Sequence, residues 1–224
     1  MSDSPDSHDP HSAEPSEPGL HLTPSEARIL ACLMEKELAT PDNYPLTLNA
    51  LTLACNQKSN REPVMKLTLG EVGHLVRELE QRDLVRIDHG DRAEKIRHRM
   101  KVACRLNPKQ QAILTLLMLR RPLTLNEIRA RSERMATFDG MEEVLVMVEE
   151  LMERARPFIL CLPKGPGRRE ERYTHNLSGD ERLDYVEPDA PRSSSATVAH
   201  SAVEERLAAL EQRVAALEQQ LGEG

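Results

Sequence analysis

Pro45-Leu46-Thr47-Leu48-Asn49-Ala50-Leu51 returns 77 residues later as Pro122-Leu123-Thr124-Leu125-Asn126-Glu127-Ile128. The echo extends outward in order. Leu22-Thr23-Pro24 is matched by Leu106-Asn107-Pro108, and Ile29, Leu30 and Leu33 by Ile113, Leu114 and Leu117, at an offset of 84. Downstream, Val76-Arg77-Glu78-Leu79 is matched by Val148-Glu149-Glu150-Leu151 at an offset of 72. Ordered echoes at this spacing mean one small unit used twice. The shrinking offset means that the first copy has the longer connections.

The unit can be read locally. Thr23-Pro24-Ser25-Glu26 starts a helix, with Thr as cap, Pro at the first position and Glu at the third. Ile29, Leu30, Leu33 and Met34 follow at helical spacing, and Pro41 ends the run. Thr47 caps a short second helix carrying Leu48, Leu51, Leu53 and Ala54. Thr68 and Glu71 form a capping box for a third, whose core face is Val72, Leu75, Val76 and Leu79. Leu84-Val85-Arg86-Ile87 alternates as a strand, Asp88 to Arg99 is polar and charged, and Met100-Lys101-Val102-Ala103-Cys104 reads as the returning strand. Three helices and a two-stranded hairpin make the winged-helix arrangement. In the second copy the pattern predicts helices near 108–120, 124–132 and 140–155, with strands near 158–162 and 171–175.

Composition bounds the rest. The chain has 224 residues, only 2% aromatic and without tryptophan, so each core must be aliphatic. Cys32, Cys55, Cys104 and Cys161 form no Cys-x-x-Cys pair and are expected as buried free thiols in a reducing cytoplasm. No stretch is long enough to span a membrane, and the N-terminus lacks the basic-then-apolar pattern of a signal peptide. Net charge is −7, but the acidity sits in the tails. Residues 1–21 hold five acids and no Lys or Arg, whereas 22–106 hold 14 basic and 12 acidic residues and 107–177 hold 12 and 10. The two copies are mildly basic, which permits nucleic-acid binding.

Several stretches resemble a known group. Glu35-Lys36-Glu37, Thr40 to Leu46, Ala54-Cys55-Asn56-Gln57-Lys58-Ser59-Asn60-Arg61-Glu62-Pro63-Val64 and Arg168 to His175 are similar to the YceH-type family of bacterial proteins. The resemblance covers about residues 22–177 and continues into a C-terminal coiled coil. It implies a tandem winged-helix fold and little about activity. One departure is the second Pro-Leu-Thr-Leu-Asn, where such proteins more often read Thr-Pro-Gly-Glu-Leu.

Beyond residue 202, Val203, Leu207, Leu210, Val214, Leu217 and Leu221 recur at spacings of 4, 3, 4, 3 and 4. Leu207, Val214 and Leu221 fall at heptad position a, the other three at d. Arg206 and Arg213 at g would meet Glu211 and Glu218 at e in a parallel pair, which favours a parallel homodimer. The expected chain is α+β, mostly α. It has a disordered acidic tail (1–21), two tandem winged-helix domains (22–106 and 107–177), a flexible linker (178–201) and a C-terminal coiled-coil helix (202–222).

Arg92, Lys95, Arg97, Arg99 and Lys101, with His98, could place a cationic first wing along a phosphate backbone. Lys164, Arg168 and Arg169 would make a second, diluted by Glu170 and Glu171. Asn56, Lys58, Asn60 and Arg61 lie where a helix-turn-helix turn would meet phosphates or base edges; equally, they could only close the turn. The outward face of the third helix is mixed in the first copy (Glu71, His74, Arg77, Glu78, Gln81) and strongly acidic in the second (Glu142, Glu143, Glu149, Glu150, Glu153). The acidic one should be repelled by DNA and could meet a protein. No phosphate loop, nucleophile elbow or zinc-helix motif occurs, so neither an enzyme nor a cofactor is expected. Scarce aromatic residues disfavour single-strand stacking. The expected function is double-stranded DNA binding, in a transcriptional regulator. The alternative is a protein-interaction scaffold similar in plan to chromosome-condensation accessory subunits.

Overall fold

A computed structural model of the chain describes residues 20–90, 93–162, 164 and 170–178. These residues form an α+β structure of seven α-helices and two small antiparallel sheets. Helices α1 (Pro24–Ala39), α2 (Leu48–Cys55) and α3 (Leu69–Gln81) precede a hairpin of β1 (Val85–Asp88) and β2 (Lys95–His98). A short helix α4 (Met100–Ala103) leads to the second series: α5 (Pro108–Leu119), α6 (Leu125–Ser132), α7 (Met141–Met152), β3 (Ile159–Leu162) and β4 (Arg172–His175).

The repeated sequence has repeated jobs. Thr23, Thr68, Asn107 and Thr124 each accept a hydrogen bond from the amide three residues on, and Glu26, Glu71, Gln110 and Glu127 reach back to the cap. Each such cap is worth about 1 kcal/mol. Thr47 accepts from the Ala50 amide, but alanine cannot return the bond, so the first Pro-Leu-Thr-Leu-Asn has half the box of the second. The leucine beside each of these caps joins the hairpin. Leu46 exchanges backbone hydrogen bonds of 2.7 and 3.1 Å with Ile96, and Leu123 exchanges bonds of 2.7 and 3.0 Å with Tyr173. Gly73 lets α3 close on α2, since a Cβ there would sit 3.3 Å from a Leu48 methyl.

Helix α1 is buried continuously from Glu26 to Met34, and α5 from Gln110 to Leu119. A helix enclosed on all sides is a core element rather than a covering one. The two pack together, and one apolar cluster runs through both copies. Backbone bonds tie the copies further: the Glu62 amide donates to Leu119 O at 2.8 Å, and the Leu22 amide to Leu177 O at 2.7 Å. Cys32, Cys55 and Cys104 are buried thiols and Cys161 is half-buried; none forms a disulfide. Among the described residues no helix is long and apolar enough to cross a membrane. The tail, most of the linker and the whole heptad segment, Val203 to Leu221, lie outside them.

One expectation is corrected. The returning strand of the first hairpin is Lys95–His98, and Met100–Ala103 is helical. A five-residue stretch with small and apolar residues at alternate positions also fits one helical turn. Met100 and Cys104, four apart, are the buried pair, while Val102 between them is 71% exposed. On α2, Leu51 is buried and Leu53 points outward, 73% exposed. This turn makes a testable distinction. Met100→Ala should cost about 2–5 kcal/mol of unfolding free energy. Val102→Ser should stay within about 0.5 kcal/mol of the parent. A large drop for Val102→Ser in urea unfolding would show that it faces inward, as a strand would require.

Candidate nucleic-acid interface

Pleat alternation builds the first hairpin. Val85 and, on β2, Ile96 and His98 turn inward; Arg86, Lys95 and Arg97 are exposed. The register sets Arg86 directly opposite Arg97, and Asp88 opposite Lys95. Asp88 binds Arg97 through Nε at 2.6 Å and also through Nη2, and lies 3.5 Å from Arg86 Nε. Two arginines therefore share one carboxylate, and Lys95 stands opposite it in the register without an ion pair among the described residues. Like charges directly opposite on a sheet are destabilising by themselves. Sequence reasoning missed Arg86, although the alternation of Leu84 to Ile87 already set it on the outer face.

The other expected cations of this cluster do not join it. Arg99 pairs with Asp83 at 2.5 Å. Lys101 lies on α4, 3.4 Å from Glu37. His98 is buried. Arg92 is outside the described residues.

The loop after α2 divides as well. Arg61 is not a surface cation: its side chain is 0% exposed and grips both Glu35 oxygens, Nη1 at 3.1 Å and Nη2 at 2.6 Å. Its Nε donates to Ala54 O at 3.0 Å and its Nη1 to Asn60 O at 2.9 Å. Burial works against the Glu35 carboxylate, and Arg61 overcomes it, holding the carboxyl below its usual range. Asn56 closes the turn: its Nδ2 donates to Leu67 O, and its Oδ1 accepts from the Leu67 amide, both at 2.7 Å. Arg61 and Asn56 are thus spent inside the fold and are removed from the phosphate-binding set. Lys58 and Asn60 remain exposed, and Asn60 has a left-handed backbone with φ 61°. A second buried guanidinium was not legible in the sequence. Arg28 donates to Cys55 O at 3.2 Å and Pro63 O at 2.7 Å.

His98 joins three elements. The Met100 amide donates to its Nδ1 at 3.2 Å, so the proton sits on Nε2, which donates to Glu37 Oε2 at 2.9 Å. Gln111 of α5 donates to the same oxygen at 2.9 Å, and the His98 amide donates to the Tyr44 hydroxyl at 2.7 Å. Both ring nitrogens are engaged and the ring is 1% exposed, so this group positions elements and offers no open face to a substrate. The second copy repeats the device 77 residues on, where the Leu177 amide donates to His175 Nδ1 at 3.4 Å. Among the described residues no group of His, Cys, Asp and Glu could hold a metal ion.

The second copy presents other surfaces. Lys164 is exposed; Arg168 and Arg169 lie outside the described residues. Arg172 donates to Pro122 O at 3.1 Å and Glu127 Oε2 at 2.8 Å. On α7, Glu142, Glu149 and Glu150 are exposed, as is Glu153 just beyond it. Glu143 is tied to Lys109. The outward residues of α3 (Glu71, His74, Arg77, Glu78 and Gln81) are exposed as well.

Together these features define an α+β protein with a duplicated three-helix-and-hairpin unit, cationic on one hairpin and acidic on the last helix. Residues 22–168 match the family described as "Protein of unknown function, DUF480", and the chain belongs to it. It is 48% identical over 184 residues to a UPF0502 protein of Azotobacter vinelandii, covering 82% of this chain and 81% of the relative. A UPF0502 protein of Pseudomonas savastanoi pv. phaseolicola is 43% identical over 210 residues, with 88% and 94% covered. One of Mesorhizobium japonicum is 46% identical over 188 residues, with 84% and 88% covered. These are the uncharacterised bacterial proteins that the sequence resemblance indicated.

The His98 network predicts a pH response. Its hydrogen bond, aided by Gln111 and Lys101, draws Glu37 from 4.5 down to about 2. A depressed carboxyl pKa stabilises the fold above 4.5, and this contribution disappears as pH falls from 4.5 through 2. Glu37→Gln should flatten the fall in unfolding free energy across that window. An equally steep fall in the variant would remove Glu37 from the acid response.

Proposed function

We propose that each copy is a winged helix and that the protein binds double-stranded DNA in a regulatory role, through the first hairpin. The observation that carries this reading is the outer face of that hairpin. Arg86, Lys95 and Arg97 stand together there, Asp88 pairs with the two arginines only, and Arg86 faces Arg97 directly. A phosphate backbone laid along that face would relieve the repulsion. The element order of each copy supports the winged-helix assignment. The fold itself does not fix function, so the reading rests on the surface. The acidic outer face of α7 keeps that helix out of a groove. The heptad segment supports a parallel homodimer, whose symmetry suits two half-sites.

The test is a salt titration of binding to mixed-sequence duplex, read by fluorescence anisotropy. Arg86→Ala/Lys95→Ala should weaken binding. It should also make the dependence of log affinity on log salt shallower by about 0.9 for each phosphate that is no longer neutralised. Affinity and slope equal to those of the parent would sink the proposal.

The exposed carboxylates of α7, beside a Val146 that is 42% exposed, favour a second reading, contact with a protein partner. It expects one stoichiometric protein to be recovered with the chain after nuclease treatment, while duplex DNA is not bound.

A further inference from the structure

A cavity of about 520 Å³ opens where the ends of α1 and α5 meet, and its wall comes from both copies. Lys36 and Lys58 line it from the first, Arg120, Arg131 and Arg134 from the second. The one carboxylate in the lining is Glu35, and both of its oxygens are taken by Arg61. Lys36 stands 3.5 Å from that same carboxylate. Arg131 reaches Glu127, which lies outside the cavity, at 3.3 Å. Lys58 and Arg134 have no carboxylate within ion-pair distance among the described residues. Arg120 is half-buried; burial first, then the facing Arg131 and Arg61, press its pKa below the ordinary value. Five cations thus converge on a concave space whose negative charge is already committed.

The space is also shaped in advance. Arg61 anchors the loop from beneath by bonds to Ala54 O, Asn60 O and Glu35. Asn60 takes the left-handed backbone, and its Oδ1 accepts from Arg120 Nη2, which joins the loop to the second copy. The Lys58, Ser59 and Asn60 amides donate to no backbone carbonyl among the described residues. Converging guanidinium and ammonium donors recognise oxyanions, and arginine in particular suits phosphate. The volume lies within the range of small-molecule sites.

We propose that this cavity is a binding site for a small anion carrying a phosphate or diphosphate group, held by Lys58, Arg120 and Arg134. The site is separate from the cationic hairpin and does not depend on the DNA reading. A phosphate of the DNA backbone has the same chemistry, so the test must separate the two sources.

The probe is inorganic pyrophosphate, titrated by calorimetry into the full chain in chloride buffer, with the thermal midpoint followed in parallel. Expected are saturable one-to-one binding and a midpoint that rises with pyrophosphate. In Lys58→Ala/Arg134→Ala the affinity should fall about tenfold or more, as expected when two charge-assisted hydrogen bonds are removed. Both side chains are exposed, so this variant should keep the parent's midpoint when no anion is added. Arg86→Ala/Lys95→Ala should bind pyrophosphate as the parent does. Absence of saturable binding by the parent at millimolar pyrophosphate overturns the proposal. So does binding that Lys58→Ala/Arg134→Ala leaves unchanged. If that variant loses DNA affinity while the parent ignores pyrophosphate, the cavity takes backbone phosphate and the small-anion site is wrong. Failure of DNA binding alone leaves the calorimetric result standing, so the two readings fail separately.

Discussion

The fork between Arg61 and Glu35 fixes much of what surrounds it. A guanidinium with no solvent exposure is tolerable only when its donors are used, and Arg61 uses its donors on two carboxylate oxygens and two carbonyls. Losing one partner of such a pair typically costs about 3–5 kcal/mol, because the other charge is left buried alone. The consequence is geometric. The fork draws the connection after α2 down onto α1. That places Asn56 to clasp Leu67 ahead of α3, and Glu62 to reach the carbonyl end of α5. Arg28 adds a second clamp on the same segment through Cys55 O and Pro63 O.

The duplicate solves the same packing problem with a buried ring in place of a buried guanidinium. Its connection after α6, residues 133–140, is five residues shorter than 56–68 and buries Phe138, with Lys109 Nζ 5.7 Å above the ring. An aromatic ring fills volume at no charge-burial cost, so a shorter loop suffices. This difference is why the sequence offset falls from 77 to 72 across that connection. The later connections reverse the trend, because 153–158 is longer than 82–84 and 163–171 longer than 89–94, and β2 and β4 are again 77 apart. Common caps and common strand rungs, with different fillings between them, describe the relation of the copies better than uniform shortening.

What the sequence revealed follows from which interactions are local. The caps at Thr23, Thr47 and Thr68, the helices of both copies and both first strands are set by residues within a turn of each other and were legible, whereas the caps at Asn107 and Thr124 were not read as such. Strand β2 was hidden because its inward residues, Ile96 and His98, alternate with Lys95, Arg97 and Arg99, a pattern that reads as a polar loop. The burial of Arg61 was hidden for another reason. Charge is written in the sequence, but the partner that neutralises it, Glu35, is 26 residues away. The same distance problem split the expected cluster of cations: Arg99 and Lys101 had carboxylates, Asp83 and Glu37, that only the fold brings near. Lys95 and Arg97 kept their outward places because alternation alone decides them.

Duplication matters most where the copies touch. The cationic hairpin needs residues of one copy only, and the acidic face of α7 needs only the other. The seam is different. With α1 and α5 each enclosed over nine or ten consecutive residues, the copies share one core and cannot turn freely against each other. A loop anchored on α1 can therefore hold Lys58 at a fixed place opposite Arg120 and Arg134, which come from the end of α5 and from beyond α6. Neither copy could assemble that cluster alone, because each supplies only part of the charge. If an anion binds at the seam, its energy acts on the packing of α1 against α5. That packing also supports β2, through Glu37, His98 and Gln111. An anion at the seam and a backbone on the hairpin would thus be read by the same pair of helices.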